Sequence, residues 1–544
     1  MLDIALLLIL LVWFAATVVR AYRLARFYQI DEYKSNRFAR WWFGKIERVL
    51  PGRSPVIAGG AAVFDVLFSE GGPILPAVIW VIAAAWIGWP RPEREVKKRF
   101  VATARAKRIL GTAFVIAAVD SVVSGLLIGE IIDSDRLTIV LAGVSGYLTW
   151  LLAPLWLMLG NIVMTPVESL YRRAYIRLAR TIIQRINPTV IGITGSYGKT
   201  TTKNFIADLL NARYRAYATP KSFNTMMGIC RAINTDLAEN YAIDYFIVEM
   251  GAYFPGEIAR IADLTPPHIG IEVEVGPQHL ERFKTLERTA ESKYEVIASL
   301  PPDGVGVFNW DNPYIRAMQE KGYPATRIGV SRQIDPATAP RDVRFAATDV
   351  HESLDGLTFT VHDTHTGEQQ AFDVPVLGVH NVTNLLIAIA VCVNERMSLK
   401  EIAQRARTLK PAESRLVRQV TAQGITILND AYSANPVGSR SALAALALHT
   451  TGRRVLVTPG MIELGPLHAQ ENKALGAAAA ETATDIVLVG PEQTAPIKAG
   501  ALEAGFPEAS LHTVDLLSEA VAWTQRELKP GDTVLYLNDL PDTY

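Results

Sequence analysis

Apolar residues are unevenly distributed along the chain and concentrate before about residue 165. Four long apolar runs and one shorter, acid-containing run lie there, at 4–19, 74–89, 109–128, 137–163 and 56–68. A membrane-spanning helix needs about 20 predominantly apolar residues, and about 17 is the lower end of the range. The pattern therefore predicts an α-helical transmembrane region over residues 1–165.

Positive charges indicate how many of these runs cross the membrane. Segments 21–53 and 91–108 carry eight Lys or Arg residues each, and four arginines follow between 172 and 180. Basic loops stay on the cytoplasmic side, and a fifth span over 55–69 places every basic loop there. We expect about five spans with the amino terminus outside. Four spans with a re-entrant or interfacial segment are the alternative. The first run precedes its arginines, which favours an anchor over a cleaved signal peptide.

The remaining sequence has the pattern of soluble α/β domains. From residue 189 onward, short apolar strands alternate with helical stretches, which predicts parallel sheets. Residues 166–188 are expected to form a juxtamembrane helix. Alternating segments within 341–377 predict a small antiparallel insertion. We expect a central domain over 189–412 and a C-terminal domain over 413–544.

Composition narrows the function classes. The 544 residues include 54 Lys and Arg against 54 Asp and Glu, and this zero net charge argues against a protein whose main role is to bind nucleic acid. Hydrophobic residues make up 49% of the chain and mean hydropathy is +0.17, which excludes disorder as the dominant state. The two cysteines exclude a disulfide scaffold and an all-cysteine metal site.

The strongest chemical signal is the segment VIGITGSYGKTT at 190–201. A buried strand runs into a glycine-rich turn, and a helix is expected to follow. Glycines let backbone N–H groups surround phosphate oxygens, and the helix N-terminus adds its dipole. In such a loop Lys199 reaches the terminal phosphates and the hydroxyl of Thr200 ligates Mg²⁺.

This loop, ITGSYGKTTTK, resembles that of the Mur ligases, the ATP-dependent amide-forming enzymes of peptidoglycan precursor synthesis. The resemblance covers roughly 185–535 and is closest to the branch that adds D-alanyl-D-alanine. It implies a P-loop central domain and a Rossmann-like C-terminal domain. It also implies a carboxylate–amine ligase that joins D-alanyl-D-alanine, or a similar amine, to a UDP-MurNAc-peptide-like acceptor through an acyl phosphate.

The resemblance also implies roles for single residues. ATP-binding residues would be Gly195, Ser196, Tyr197, Gly198, Lys199, Thr200, Thr201, Asn309, His380, Asn381 and Asp430. Ligands of Mg²⁺ would be Thr200, Glu249, His279 and Lys293, with Lys293 carrying CO₂ as a carbamate. Catalytic residues would be Lys199, Lys293, Arg415 and Asn435. Acceptor-peptide residues would be Asn224 and Thr225. Glu274 stands where the family usually has Asn.

Two departures leave the acceptor open. The family usually ends in a strand followed by V-K-G-S-R, whereas residues 535–541 contain no Lys or Arg. The family's UDP-sugar domain is also missing, and the membrane region stands in its place. The acceptor is therefore either UDP-linked or lipid-linked. A non-catalytic Mur-like scaffold and a transport ATPase are the rival classes. We expect a multi-pass protein of the cell membrane whose ligase domains are cytoplasmic, with the lipid bilayer as a partner and no nucleic acid.

Overall fold

The computed structural model describes residues 2–68, 72–89, 100–132, 134–221, 223–240, 242–278, 280–432 and 434–538. Within this range the chain divides into two compact units. The first ends at Ala174, and the second begins at Tyr175.

The first unit is helical. Its helices are α1 Leu2–Ile30, α2 Ser35–Phe43, α3 Ile46–Val49, α4 Ser54–Phe68, α5 Ile74–Gly88, α6 Ala104–Ile131, α7 Asp135–Leu151 and the first part of α8 Ala153–Ile186. Trp13 and Trp80 are fully buried at its centre. A Cβ atom on Gly143 of α7 would lie 2.1 Å from the Trp80 ring, so the helix can approach this ring only through a glycine.

Each predicted apolar run lies largely in helix, although the run 137–163 is divided between α7 and α8, and the number of spans remains a prediction. By length and composition, α1 and α6 are sufficient to cross a membrane, and α7 with α8, bent by 61°, makes a third candidate. Helices α4 and α5 have 15 residues each, fewer than the lower end of the usual range for a span.

Helix α8 passes through the predicted boundary at residue 165 without a break. Pro166 lies inside it, and the Thr165 hydroxyl donates to the carbonyl of Asn161 at 2.7 Å. The part of α8 from residue 175 onward contributes Ala179, Ile182 and Ile183 to a core of the second unit. The predicted juxtamembrane segment is therefore the end of one long helix, because apolar side chains continue on its buried face.

The central domain is built on a nine-stranded sheet in the order β2-β3-β1-β4-β5-β6-β7-β8-β9. Neighbours from β2 to β7 pair in parallel, and β7, β8 and β9 are antiparallel. The strands are β1 Thr189–Thr194, β2 Ala216–Ala218, β3 Tyr245–Glu249, β4 Ile269–Glu272, β5 Val305–Asn309, β6 Thr326–Ser331, β7 Val343–Ser353, β8 Gly356–Asp363 and β9 Gln369–Val374. The predicted antiparallel segment thus extends the main sheet.

Helices cover both faces of this sheet. They are α9 Lys199–Leu210, α10 Met226–Asp236, α11 Glu257–Leu264, α12 Leu280–Phe283, α13 Leu286–Ala298, α14 Pro313–Gln319, α15 His380–Asn394 and α16 Leu399–Ala406. Two apolar cores result, one with α9 and α15 and the other with α11 and α13. Burial of these side chains stabilises the domain by about 25 cal/mol per Å² of apolar surface.

The C-terminal domain has a six-stranded sheet in the order β10-β11-β15-β12-β13-β14, in which only the β10–β11 pair is antiparallel. Its strands are β10 Val417–Val420, β11 Thr426–Asp430, β12 Arg454–Thr458, β13 Asp485–Val489, β14 Leu511–Val514 and β15 Thr533–Leu537. Its helices are α17 Pro436–Ala447, α18 His468–Thr482, α19 Pro491–Glu503 and α20 Leu517–Glu527.

Candidate active site

Strand register brings two carboxylates to one edge of the central sheet. In the parallel pairs of β1, Ile193 lies beside Glu249 of β3 and Thr194 lies beside Glu272 of β4. The carboxyl ends of the parallel strands therefore meet at the loop that follows β1, where open α/β sheets bind their ligands.

The turn between β1 and α9 depends on its glycines. Gly198 has φ +78°, and a Cβ atom there would lie 2.6 Å from Oδ1 of Asn384 and 2.7 Å from Cγ1 of Val273. Gly195 has φ +153°, and a Cβ atom there would lie 3.0 Å from the backbone nitrogen of Glu274. The backbone N–H of Ser196 donates to the Glu274 carbonyl at 2.6 Å, which fixes the loop against the segment after β4.

The side chain of Lys199 folds back onto its own loop. Its Nζ donates to the carbonyl oxygens of Gly195 at 2.6 Å and Ser196 at 3.1 Å. Burial, with a smaller contribution from the Arg415 guanidinium, lowers the pKa of Lys199 to about 8. Among the described residues no carboxylate is hydrogen-bonded to this amine, although the charge of Glu249 opposes the shift.

Glu249 is the hydrogen-bonding centre of the site. It is buried and accepts from the hydroxyl of Thr200 at 2.9 Å, from Nδ2 of Asn224 at 3.1 Å and from Nζ of Lys203 at 3.2 Å. Burial alone would raise its pKa, but the ammonium groups of Lys203 and Lys199 hold it below the ordinary value. Glu249 is therefore an ionised carboxylate beside the predicted phosphate site.

Glu272 and Lys293 form a second buried pair. Burial raises the pKa of the Glu272 carboxyl and lowers that of the Lys293 amine, and each opposes the other's shift by its charge. Both carboxylate oxygens of Glu272, and the hydroxyls of Thr194 and Ser292, lack a hydrogen-bond partner among the described residues. Four buried oxygen atoms of three polar groups, without hydrogen bonds to one another, can accommodate an additional charged or polar group.

The structure places some of the predicted metal ligands near one another, and the metal site itself stays a prediction. Thr200 and Glu249 lie in hydrogen-bond contact, and Lys293 is buried close enough to Lys199 for their charges to interact. His279 lies outside the described residues. Over the described chain, no cluster of three or more His, Cys, Asp or Glu side chains is placed to hold a metal ion. A carbamate on Lys293 would add a carboxylate-like group that the unmodified chain lacks.

The second domain contributes side chains to the same cleft. Arg415, Asp430 and Asn435 line it together with Tyr197 and Gly198 of the loop. The remaining lining residues are Thr201, Val273, Glu274, Arg332, His380, Asn381, Thr383, Asn384, Leu416, Val437 and Gly438. Groups from both sheets therefore face one cavity.

Arg415 and Asp430 are half-buried, and their opposite charges interact. The guanidinium of Arg415 lies 4.2 Å from the centre of the Tyr432 ring, and Asp430 accepts from the backbone N–H of Leu416 at 3.2 Å. Burial raises the pKa of Asp430 to about 6, although Arg415 opposes the shift. Burial likewise lowers the pKa of Arg415.

His380 and Asn381 begin helix α15 at the cleft. Burial lowers the pKa of His380 to about 4, so its ring is neutral at neutral pH, and its Nδ1 has no partner in the described chain. The side chain of Asn381 is hydrogen-bonded within the protein. Its Nδ2 donates to the Leu377 carbonyl at 2.7 Å and its Oδ1 accepts from Asn384 at 2.9 Å.

Comparisons with known proteins place this geometry in a family. A model described as "Mur ligase middle domain" matches residues 193–392, and one described as "Mur ligase, glutamate ligase domain" matches residues 414–537. The UDP-N-acetylmuramoyl-tripeptide–D-alanyl-D-alanine ligase of Bacillus subtilis is 31% identical over 369 residues, which cover 66% of this chain and 75% of that protein. The chain belongs to the Mur ligase family. The prediction of an ATP-dependent ligase is thereby confirmed at the level of the family.

Further relatives carry the same description. The Mycobacterium tuberculosis enzyme of that name is 33% identical over 375 residues, 64% of this chain and 69% of its own length. MurF from Acinetobacter baumannii has a TM-score of 0.58 at 23% identity, covering 68% of this chain and 77% of its own. MurF from Thermotoga maritima in complex with ADP has a TM-score of 0.58 at 22% identity, and the match covers 68% of this chain and 80% of that protein. The solved structures show a shared fold.

Some residues of this Mur ligase have local structural contacts beyond their predicted roles. Thr225 caps α10 by accepting from the N–H of Gly228 at 3.3 Å, and Asn435 caps α17 by accepting from Gly438 at 2.9 Å. Asn309 is 3% exposed and is not among the cleft-lining residues. Its amide donates to the Val273 carbonyl at 2.9 Å, so it faces the end of β4.

Sequence reasoning missed three polar residues of this Mur ligase site. Lys203 is 1% exposed and forms the ion pair with Glu249, and its Nζ also donates to the Lys221 carbonyl. Glu272 lies beside Lys293, and Arg332 lines the cleft. A signal existed for Lys203, because it follows Lys199 by four residues and so shares the helix face.

Proposed function

We propose that this protein uses ATP to join the carboxylate of a peptidoglycan precursor peptide to an amine such as D-alanyl-D-alanine, through an acyl phosphate. The observation that carries the proposal is the cleft in which the glycine loop before α9 faces Arg415 and Asp430 of the second sheet. The named activity of the similar proteins from Bacillus subtilis and Mycobacterium tuberculosis supports the choice of amine.

The first step is phosphoryl transfer, in which positioning and charge neutralisation do most of the catalysis. The backbone N–H groups of the loop bind the phosphate oxygens, except that of Ser196, which donates to the Glu274 carbonyl. Lys199 turns from its loop carbonyls to the terminal phosphate. Arg415 neutralises the transferred group from the opposite domain, where a planar cation suits phosphate oxygens. Asp430 offers carboxylate oxygens to the ribose hydroxyls. Tyr197, Thr201, His380 and Asn381 complete the nucleotide site.

Residues Thr200, Glu249, His279 and a carbamylated Lys293 would hold Mg²⁺. The ion, when bound, shields the negative charge of the phosphates and of these carboxylates. Carbamylation requires a neutral amine, and burial of Lys293 favours that form. The reaction joins the amine nitrogen to CO₂ and releases one proton.

The chemistry balances without an enzyme nucleophile. A carboxylate oxygen of the acceptor bonds to the γ-phosphorus, and the bond to the β-phosphate oxygen breaks to release ADP. The amine nitrogen then bonds to the carbonyl carbon, the carbon–oxygen bond to phosphate breaks, and the amine loses a proton. Asn435, at the start of α17, lies at the cleft where these groups would meet. Asn224, which donates to Glu249, and Thr225 would contact the acceptor peptide.

The apolar helices of the first unit favour a membrane location, with the ligase domains on the cytoplasmic side. Two or three of them are long and apolar enough to cross a bilayer. A lipid-linked acceptor is therefore a second candidate beside a soluble UDP-linked peptide. In that case the bilayer would bring the acceptor to the enzyme.

The test is product mass. Purified full-length protein in detergent is incubated with ATP, Mg²⁺, a panel of UDP-linked and lipid-linked precursor peptides, and amines that include D-alanyl-D-alanine. We expect one acceptor–amine pair to give a product whose mass is the sum of the two reactants less one water, with ADP formed in equal amount. Lys199→Ala should abolish the product, whereas Lys410→Ala, at an exposed lysine, should not. ADP release without any amide product would contradict the ligase assignment.

A further inference from the structure

Glu274 is a residue of the cleft at a position where the resemblance to the family implies Asn. It follows β4, lines the cleft, and is bound to the phosphate loop through its backbone carbonyl, which accepts from Ser196. The side chain therefore brings a carboxylate, instead of an amide, into the cavity.

The amides around Glu274 have no N–H left for a ligand. Nδ2 of Asn309 donates to the Val273 carbonyl at 2.9 Å and to Oε2 of Glu274 at 3.0 Å. Nδ2 of Asn312 donates to the Val275 carbonyl at 2.9 Å and to Oε1 of Glu274. An amide nitrogen has two hydrogens, so both donors are fully used.

The carboxylate of Glu274 still has capacity to accept. Its two oxygens offer about four acceptor positions in all, and the two amide contacts use one on each oxygen. Because these contacts hold both oxygens in place, the remaining positions have a fixed direction. Burial raises the pKa of Glu274 to about 7, so the carboxyl is largely ionised at pH 8.5, and in that form the free hydrogen-bonding capacity at this end of β4 is acceptor-only.

Two other groups lie near this carboxylate. The Arg332 guanidinium interacts electrostatically with both Glu274 and His380, so the three side chains are close together in the cleft. His380 is neutral, and its unpartnered Nδ1 adds a hydrogen-bonding atom. A planar guanidinium can stack on an aromatic base. The group has the composition of a base-binding site beside a phosphate site.

We propose that Glu274 selects the base of the nucleotide by accepting a hydrogen bond from an exocyclic amine at purine position 6. This inference depends on the proposed nucleotide site. Adenine presents an N–H₂ donor at position 6, whereas guanine and hypoxanthine present a carbonyl acceptor. A carbonyl opposite a fixed carboxylate leaves two acceptors facing each other without a hydrogen, and such unpaired groups give strong discrimination.

The test measures nucleotide affinity by calorimetry on the full chain in detergent, at pH 8.5, without acceptor or amine. The ligands are ATP, inosine triphosphate and purine riboside triphosphate, which has no substituent at position 6. In the unaltered protein we expect ATP to bind at least ~30-fold more tightly than inosine triphosphate, with purine riboside triphosphate between them. Glu274→Gln can present an N–H₂ group to a carbonyl at position 6. It should therefore lower the ratio of ATP affinity to inosine triphosphate affinity at least ~10-fold.

Glu368→Gln is the matched control, since it removes the same charge at an exposed position of the β8–β9 turn. It should leave the ratio of the two affinities unchanged.

An unchanged affinity ratio in Glu274→Gln, with ATP still bound, would overturn the inference and assign the side chain only to holding Asn309 and Asn312. If that variant does not fold, Glu274→Asn replaces it. An ATP preference below ~3-fold in the unaltered protein would also overturn the inference. Absence of ATP binding would instead remove the proposed function, and the inference with it.

Discussion

At the scale of single residues, the resting position of Lys199 predicts a pH effect on nucleotide binding. The pKa of about 8 is below the ordinary 10.5 of a lysine, so between these values the nucleotide-free protein has largely neutral Lys199. Bound phosphates favour the charged form and raise the pKa again. ATP binding without Mg²⁺ should therefore take up a proton above pH 8, up to ~0.7 per ATP at pH 8.5.

Calorimetry in buffers of different ionisation enthalpy measures this uptake. At pH 7 Lys199 is already charged in the free protein, so that pH is the internal control for this side chain. The uptake should increase from pH 7 to pH 9. An uptake that stays constant over this range would mean that the amine is not buried beside the phosphates.

The buried position of Lys293 predicts a covalent signature. Exposure of the protein to ¹³C-labelled CO₂ should give one protected carbamate signal by NMR, absent in Lys293→Ala. That variant should lose at least ~100-fold in kcat/KM, about 2.7 kcal/mol, and short carboxylates should restore part of it by supplying the missing oxygens. Full activity in Lys293→Ala would exclude the lysine from the mechanism.

How far the site could be predicted differs from residue to residue. The loop at 195–200 could be predicted from the sequence, because phosphate binding directly requires its glycines and its lysine. Lys203 was not assigned, since a lysine on a helix is usually solvated and only tertiary packing places it on Glu249. The amide of Asn309 is held by Glu274, a pairing between separate strand ends that no local pattern contains.

At the scale of secondary-structure elements, α8 gives a prediction about stability. Ile182 is 4% exposed in the core of the second unit, while Leu178, one turn earlier, is 51% exposed. Ile182→Ala should lower the free energy of unfolding of the α/β unit by about 2–5 kcal/mol, through lost burial and a cavity. Leu178→Ala should change it by less than ~0.5 kcal/mol.

Hydrogen exchange of the β1 amides in increasing urea measures the free energy of unfolding of both variants, on the full chain in detergent. Equal exchange in the two would show that the end of α8 contributes nothing to the α/β core. The ion pair between Arg180 and Asp263 is solvent-exposed on both sides, so it is expected to add little to this stability.

The end of α8 is a boundary that the sequence pattern did not predict, although the same pattern predicted the sheets. Alternation of short apolar strands with helices predicted the parallel sheets, and the period-two pattern in 341–377 predicted the antiparallel strands. The predicted end of the membrane region at 165 came from the fall in hydropathy there. The structure continues the helix to Ile186 because its buried face then packs on another core, and hydropathy alone does not distinguish one core from another.

At the scale of the whole molecule, charge and length rules give different numbers of spans. The distribution of basic loops predicts five, whereas helix length identifies two, or three with the bent pair. The difference rests on α4 and α5, whose 15 residues are short for a typical bilayer. The family matches begin at residue 193, so the helical unit lies outside both. Its role has to be tested by removing it.

A chain that begins at Thr165 removes most of the first unit and keeps the whole segment from Tyr175 that packs on the α/β core. We expect it to bind ATP with unchanged affinity, because Lys199, Arg415 and Asp430 all remain. If the native acceptor is in the membrane, turnover should fall at least ~10-fold, about 1.4 kcal/mol of transition-state stabilisation. A chain that begins at Pro188 is the matched comparison. It also loses Ile182 and its neighbours, so its free energy of unfolding should be lower. Comparing the two chains separates the loss of α8 packing from the loss of the membrane helices.

The measurements are ATP affinity, the free energy of unfolding, and turnover on UDP-linked and lipid-linked peptides in detergent. Equal turnover of the full chain and the Thr165 chain on a UDP-linked peptide would mean that the helices only tether a ligase of soluble substrates.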